Sequence, residues 1–240
     1  MRLLLPSLLL FISSALFAQE SMRMPPGSLV RQSLCQITND NLDFSDVVEL
    51  ARNLPRDENS PAGIQFRRPI FASPEFMENW DFMVALYYPS WSDMVERRIA
   101  DGNSNRGKLP ISCGSPAVVR NVGVNPGVTI SDQTMMTTRQ CSLNPGANMS
   151  GAYNFAVKMS QNWTEAGNSL LTQLWMPGAG GPLRNDFDFV YAQVGPTREV
   201  LLERMDMVRN GFRAVTNVSA PVSCDRPTLW STWRIHNENQ

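Results

Sequence analysis

Two aspartates are the residues of this chain best placed for acid–base chemistry. Asp81 begins the sequence DFMVA and Asp188 the sequence DFVYA, so each lies at the entrance of a predicted strand. A carboxyl group buried there without a basic partner would keep its proton to higher pH and could exchange it near neutrality. Acids at strand ends are also common turn residues. Either aspartate could therefore cap a turn, or pair with an arginine such as Arg67, Arg68 or Arg184.

Other kinds of catalytic centre have little support. The only histidine, His236, lies in a segment predicted to be a polar C-terminal tail. This position argues against a Ser-His-Asp or Cys-His centre, a histidine-rich metal site and a histidine-ligated haem. The glycine-rich residues 178–181 fall between two predicted strands and indicate a hairpin connection, not a phosphate loop. We therefore expect no cofactor and no metal, and the sequence leaves open whether the protein is an enzyme.

Aromatic and amide side chains near the central strands form a second set of candidates. Both faces of these strands are largely apolar, as expected if one face packs on helices and the other lines a closed interior. Aromatic rings supply apolar contact and an amide fixes orientation, which is the usual composition of a small-molecule site. The alternative is that these residues only pack the core. The predicted ligand-binding residues are Trp80, Tyr87, Gln173, Trp175 and Tyr191.

The candidate residues recur because the chain contains two similar halves. Asp188 follows Asp81, and Pro196 follows Pro89, at a shift of 107 residues. Other landmarks follow in the same order at nearly the same shift, namely Cys35 and Cys141, Gln65 and Gln173, Pro69 and Pro177, Cys113 and Cys224. We interpret this pattern as two copies of a unit of roughly a hundred residues.

Each half has the predicted element order β-α-β-β-α-β. In the first half, strands are predicted at residues 33–38, 63–71, 81–88 and 108–113, with helices that begin after Asp43 and Ser90. In the second half, strands are predicted at 138–143, 169–176, 187–194 and 220–224, with helices at 152–163 and 197–209. The predicted repeats cover residues 30–120 and 134–235, and residues 121–133 are the predicted linker.

This element order resembles the dimeric α+β barrel superfamily. Each half has a strand that leads through Pro-Ser or Pro-Thr directly into an amphipathic helix, at LYYPS in 86–90 and QVGPT in 193–197. The resemblance extends over most of residues 30–235. It implies an α+β fold in which two tandem ferredoxin-like repeats close one pseudo-symmetric barrel, so that the chain is a barrel as a monomer. Members of the superfamily include cofactor-independent monooxygenases, haem-binding enzymes, isomerases and stress-response proteins.

The four cysteines, two in each half, predict two disulfides in an exported protein. Three pairings are possible, and two equivalent halves favour those that treat both halves alike. In the ferredoxin-like order the first and last strands are neighbours, which implies the pairs Cys35–Cys113 and Cys141–Cys224. The alternative of a redox or metal pair lacks any C-x-x-C spacing.

Residues 1–18 are predicted to be a secretory signal peptide, because Arg2 precedes an apolar run that ends at Ala18. An uncleaved anchor is the alternative. Residues 19–29 are predicted to be a flexible N-terminal segment. Without Arg2 the chain has 20 basic and 22 acidic residues, a balance that gives no electrostatic footprint for nucleic acid or an anionic membrane. We therefore expect a soluble periplasmic or extracellular protein without a stable membrane anchor.

Three classes of function are compatible with these patterns. The first is a protein that binds a small apolar or aromatic ligand in its barrel. The second is an enzyme like the cofactor-independent monooxygenases, and the third is a non-catalytic structural or stress-related module. The scarcity of histidine and the absence of a base–nucleophile pair in the sequence favour the first and third classes.

Overall fold

The computed structural model describes residues 23–100, 107–125, 127–181, 186–215 and 219–238. The predicted signal peptide and Arg184 lie outside these residues. The predicted flexible segment is described from Arg23 onwards, and its last two residues, Ser28 and Leu29, already belong to a strand.

The first half of the chain contains five strands and three helices among the described residues. They are β1 (Ser28–Ile37), α1 (Phe44–Arg52), β2 (Gly63–Phe71), α2 (Pro74–Asn79), β3 (Phe82–Tyr88), α3 (Trp91–Ala100), β4 (Ile111–Cys113) and β5 (Ala117–Gly123). The second half has the same succession with two helices. They are β6 (Gln133–Leu143), α4 (Met149–Glu165), β7 (Leu171–Gly180), β8 (Phe189–Val194), α5 (Arg198–Arg209), β9 (Val222–Cys224) and β10 (Thr228–Asn237).

The starts of α1 and α4 follow from local capping. Asp43 and Asp46 form the predicted capping box, in which Asp46 N–H donates to Asp43 Oδ1 at 3.0 Å and Asp43 N–H donates to Asp46 Oδ2 at 2.8 Å. At α4, the side chain of Asn148 accepts from the N–H of Gly151 at 2.9 Å. These side chains satisfy donors that the first helical turn leaves unpaired.

Eight antiparallel strands close a barrel, which confirms the predicted α+β barrel class. Their order is β10-β2-β3-β1-β5-β7-β8-β6, and β6 pairs with β10 to complete the circle. The short strands β4 and β9 extend the sheet beside β1 and β6. The last strand of each half pairs with the second strand of the other half, β5 with β7 and β10 with β2. The two halves therefore share one sheet and one interior.

The structure differs from the sequence-based expectation at β5 and β10. Residues 121–123, expected in the linker, form the end of β5, where Val122 is completely buried against the second half. His236, expected in a solvated tail, lies in β10 opposite Ile64 of β2. Burial, together with the charge of nearby Arg56, lowers the pKa of His236. Each of these strands pairs with the first strand of its own half and with the second strand of the other half, and local sequence patterns do not reveal the second of these pairings.

Alternate residues of the strands face two different layers. One face packs against helices, as Phe66 and Phe82 pack under α1, and Leu174 and Phe189 pack under α4. The opposite face fills the barrel, with Met136, Trp175, Ala192 and Trp230 buried together. This division agrees with the expected alternation along the central strands.

Both disulfides connect the first strand of a half to its short fourth strand. Cys35 is bonded to Cys113, and Cys141 to Cys224. In each case the two cysteines are direct partners in the strand register. Among the described helices, none combines the length and the apolar character required to cross a membrane.

Candidate functional site

A cavity of about 560 Å³ lies in the second half, between helices α4 and α5 and the outer face of the sheet. Most of its wall is apolar. Ala152 and Ala156 are one turn apart on α4, and their small side chains leave space between this helix and the sheet. Larger apolar side chains complete the wall, among them Phe155, Met159, Trp163, Leu174, Phe189 and Phe212.

Arg204 on α5 is the most buried charged residue of this cavity, with 4% of its surface exposed. Its Nε donates to Asn168 Oδ1 at 2.9 Å, and its Nη2 donates to the Asn168 carbonyl oxygen at 2.7 Å. The guanidinium carbon lies 4.0 Å from the centre of the Trp163 ring, a cation–π arrangement. The third nitrogen, Nη1, is buried without a hydrogen-bond partner.

Arg204 is nevertheless a cation at neutral pH. Burial lowers its pKa to about 10, against a small opposing effect from Tyr191. The cavity wall thus combines a broad apolar surface with a buried positive charge that is not fully hydrogen-bonded.

Tyr191 on β8 supplies a second polar group to the same cavity. Its hydroxyl oxygen accepts from Gln193 Nε2 at 3.3 Å. Burial raises the pKa of the Tyr191 hydroxyl, and the nearby charges of Arg204 and Arg139 reduce this rise only in part. The hydroxyl is therefore protonated at neutral pH and can donate a hydrogen bond.

A second cavity of about 500 Å³ lies inside the barrel, where it is lined by Arg67, Trp175 and Trp230. Arg67 is 2% exposed, and its guanidinium carbon lies 4.5 Å from the centre of the Trp175 ring. It donates to the Tyr87 hydroxyl, which in turn donates to Gln65 Oε1 at 3.1 Å. Nε of Arg67 is buried without a partner. This interior is more polar than a packed barrel core usually is.

A third cavity, of about 590 Å³, occupies the corresponding place in the first half, between the helices and the sheet. Ala51, Phe66 and Val84 are among the residues that line it. One of the arginines that line it, the partly buried Arg97, has acidic partners. Nε of Arg97 donates to Asp93 Oδ1 at 2.8 Å, and Nη2 lies 3.4 Å from Glu238 Oε1.

The structure does not bring the five predicted ligand-binding residues together. Tyr191 lines the helix–sheet cavity of the second half, and Trp175 lines the barrel interior. Tyr87 belongs to the interior network through Arg67, and Gln173 Oε1 accepts from Trp175 Nε1 at 3.1 Å. The ring of Trp80 lies against Gly114, away from both of these cavities.

Asp81 and Asp188 occupy equivalent positions and have the geometry of turn residues. Oδ2 of Asp81 accepts from the Ile37 N–H at 2.7 Å, and Oδ2 of Asp188 accepts from the Leu143 N–H at 2.7 Å. Both side chains are exposed. The burial that the acid–base hypothesis requires is therefore lacking, because each carboxylate instead joins its strand to the first strand of the same half.

Arg204, Asn168 and Trp163 are not among the residues predicted from the sequence. A usable signal exists in the helix pattern, because Arg204 follows buried Leu201 at a spacing of three and so lies on the same side of α5. An arginine on that face of an amphipathic helix indicates a charge directed toward the core.

Comparisons with known proteins identify the fold only. No protein-family model matches the chain, and no curated protein matches its sequence. Among solved structures, a doubly substituted variant of chlorite dismutase from Candidatus Nitrospira defluvii superposes with a TM-score of 0.51 at 13% identity, covering 90% of this chain and 94% of that one. The same organism's enzyme in complex with imidazole gives a TM-score of 0.48 at 12% identity, covering 90% and 94%. The first of these likenesses shows that the chain has the α+β fold of chlorite dismutases.

Proposed function

We propose that the protein binds a small apolar or aromatic molecule in the second-half cavity, between α4, α5 and the sheet. The observation that carries this proposal is the cavity itself, about 560 Å³ in volume, with a mainly apolar wall and a few polar groups at defined places. A concave apolar site with few convergent polar groups is the usual form of a small-molecule site. Arg204 and Tyr191 are the polar groups that would orient the ligand.

A haem does not fit the residues of this cavity. Haem iron in proteins is held by histidine, cysteine thiolate, tyrosinate, or methionine together with histidine. Among the described residues that line the cavity none is a histidine, and Cys224 is in a disulfide. Methionines are present, but without a histidine they do not form one of these ligand sets. The Tyr191 hydroxyl has a raised pKa, which opposes the tyrosinate form.

The chlorite dismutase activity of the structural neighbours is therefore not part of the proposal, because a likeness at 13% identity concerns the fold alone. The activity of a cofactor-independent monooxygenase is not part of the proposal either, because no base–nucleophile pair is present among the described residues that line the cavity. A non-catalytic binding protein requires only the cavity.

We also propose that the chain is an internally duplicated, exported protein. Three features support the duplication. Asp81 and Asp188 make equivalent contacts, the two disulfides join equivalent strands, and β5 and β10 pair in the same way with the second strand of the other half. Two disulfides support an oxidising compartment. The N-terminal sequence of the protein purified from its host tests export, because cleavage after Ala18 would leave Gln19 as the first residue.

Fluorescence titration with N-phenyl-naphthylamine, a neutral aromatic probe, tests the ligand site. The wild-type protein should bind the probe saturably. Ala156→Phe places a ring in the second-half cavity and should weaken binding by about tenfold or more, since it removes the space for the probe. Ala51→Phe is the matched control, because Ala51 is a buried helical alanine in the first-half cavity. Both variants should be confirmed as folded by circular dichroism.

Two results would contradict the proposed site. One is the absence of saturable probe binding to the folded wild-type protein. The other is binding that survives Ala156→Phe but is lost in Ala51→Phe, or in Val190→Phe, which fills the barrel interior. The latter result would place the ligand in one of the other two cavities.

A further inference from the structure

Each half of the chain carries an arginine at the same place in the helix that follows its central strand. Arg97 lies on α3 and Arg204 on α5. The shift between them is the same shift of 107 residues that relates Asp81 to Asp188. Both arginines line the cavity between the helices and the sheet of their own half. The two halves therefore allow a comparison of equivalent arginines, one partly buried and one buried, in different surroundings.

In the first half the arginine is neutralised by acids of the protein. Asp93, one helical turn earlier, accepts from Arg97 Nε at 2.8 Å, and Glu238 lies within 3.5 Å. Burial by itself lowers the pKa of Arg97, but the hydrogen bonds and charges of Asp93 and Glu238 outweigh it and leave the pKa raised. Arg97 is therefore already paired with acids of the protein.

In the second half the corresponding acid is missing. The position equivalent to Asp93 is Val200, which cannot accept a hydrogen bond through its side chain. Among the described residues no acidic group lies within ion-pair distance of Arg204. Among the described residues that line the cavity, the other charged ones are Arg139 and Arg213, which add positive charge at its rim.

A buried guanidinium without a counter-ion is energetically costly. Arg204 is more deeply buried than Arg97, and its compensation comes from neutral groups, the amide and carbonyl oxygens of Asn168 and the ring of Trp163. One guanidinium nitrogen is left without a partner. A ligand that carried a negative charge would supply the anionic hydrogen-bond acceptor that the Val200 side chain lacks.

We propose that the natural ligand of this cavity is an organic acid, with an apolar or aromatic body against α4 and a carboxylate that pairs with Arg204. This inference rests on the proposed function and specifies its ligand class. The carboxylate takes the role that Asp93 has for Arg97, and the Tyr191 hydroxyl is a second donor on the same wall. Arginine matches the planar geometry of a carboxylate, which favours this class of ligand.

The test compares naphthoate with naphthamide, which has the same body and no charge. Each compound competes with N-phenyl-naphthylamine for the wild-type protein at neutral pH. Naphthoate should displace the probe at a concentration about tenfold lower than naphthamide, because it gains a charge-assisted hydrogen bond in a low-dielectric site.

The decisive variant is Val200→Asp, which recreates on α5 the arrangement of Asp93 and Arg97. An internal acid should occupy Arg204, so the preference for naphthoate should fall to within about twofold while the probe still binds. Val200→Asn has nearly the same shape without the charge and should keep the preference. Arg204→Gln should also abolish it, and Val200→Asp provides the test if Arg204→Gln does not fold.

The two proposals fail in different ways. Equal displacement by the acid and the amide in the wild-type protein, with normal probe binding, overturns the inference and leaves the proposed function intact. A preference that persists in Val200→Asp also overturns the inference. Failure of the probe itself to bind overturns the proposed function, and the inference with it.

Discussion

At the scale of single residues, Asn168 determines where the charge of Arg204 lies. Asn168 is 1% exposed, and it accepts two hydrogen bonds from Arg204 while its own Nδ2 donates to the Val200 carbonyl oxygen at 3.0 Å. It therefore ties the loop after α4 to α5. Because Nη1 of Arg204 already lacks a partner, loss of Asn168 Oδ1 would leave two guanidinium nitrogens unsatisfied.

We predict that Asn168→Ala lowers the free energy of unfolding by about 3 kcal/mol, because it leaves a buried cation underpaired. Urea denaturation measures this change. Gln161→Ala, at an exposed position of α4, is the control and should change stability by less than about 0.5 kcal/mol. Equal stabilities of the two variants would mean that Asn168 does not hold Arg204 in solution.

The candidate site is harder to predict from sequence than the fold, and Arg204 shows why. A charged residue on a helix is normally solvated, so sequence patterns favour an exposed position for it. Its burial depends on Trp163 and Asn168, which are distant from it in sequence and contact it because α4 and α5 pack on the same face of the sheet. The predicted ligand-binding residues Tyr87 and Trp175 lie in the barrel interior, whereas Tyr191 faces the helix–sheet cavity of the second half, and the sequence does not separate these two locations.

At the scale of the elements, α4 forms one wall of the second-half cavity, and its start depends on one side chain. Asn148 caps this helix, whereas Thr197 at the start of α5 makes no side-chain capping hydrogen bond. The two helices that enclose the cavity therefore begin with different local stabilisation. Leu201 and the Arg204 contacts fix α5 by tertiary packing.

We predict that Asn148→Ala lowers the free energy of unfolding by about 1 kcal/mol, since the Gly151 N–H loses its acceptor. Thr197→Ala should have an effect of only a few tenths of a kcal/mol, because no capping bond is lost. Thermal unfolding followed by circular dichroism measures both changes. A larger effect at Thr197 than at Asn148 would contradict this assignment of the caps.

Several elements could be predicted from sequence with nearly their observed bounds. Strand β2 matches its predicted residues 63–71, and β3 and β8 begin within two residues of their predicted starts. These strands have dense runs of β-forming residues and clear breaks on both sides. Strands β5 and β10 and the short helix α2 were not expected. Trp230 and Trp233 of β10 face opposite layers, so that strand has no single apolar face to indicate it.

At the scale of the whole molecule, the pairing of β5 with β7 and of β10 with β2 makes each half depend on the other for its stability. Without its other half, the first half would be a sheet of order β2-β3-β1-β5 with two long unpaired edges. Its interior face, which includes Met83 and Val119, would lose its cover. Open edges and an exposed apolar face both favour association.

We predict that a chain ending at Gly127, or one starting after it, aggregates or self-dimerises when produced alone. Co-expression of the two fragments should restore a soluble one-to-one complex, because β5–β7 and β10–β2 pairing can then form. Size-exclusion chromatography with light scattering measures the assembly. A soluble monomeric fragment with cooperative unfolding would contradict the shared interior.

A crystal structure with bromonaphthoate would show whether an organic acid binds between α4, α5 and the sheet with its carboxylate on Arg204. The anomalous signal of bromine locates the ligand independently of the rest of the density. We expect one strong bromine peak beside Ala152 and Ala156, and a carboxylate oxygen about 3 Å from an Arg204 nitrogen. A bromine peak inside the barrel beside Trp175, or in the first-half cavity beside Ala51, would contradict the account.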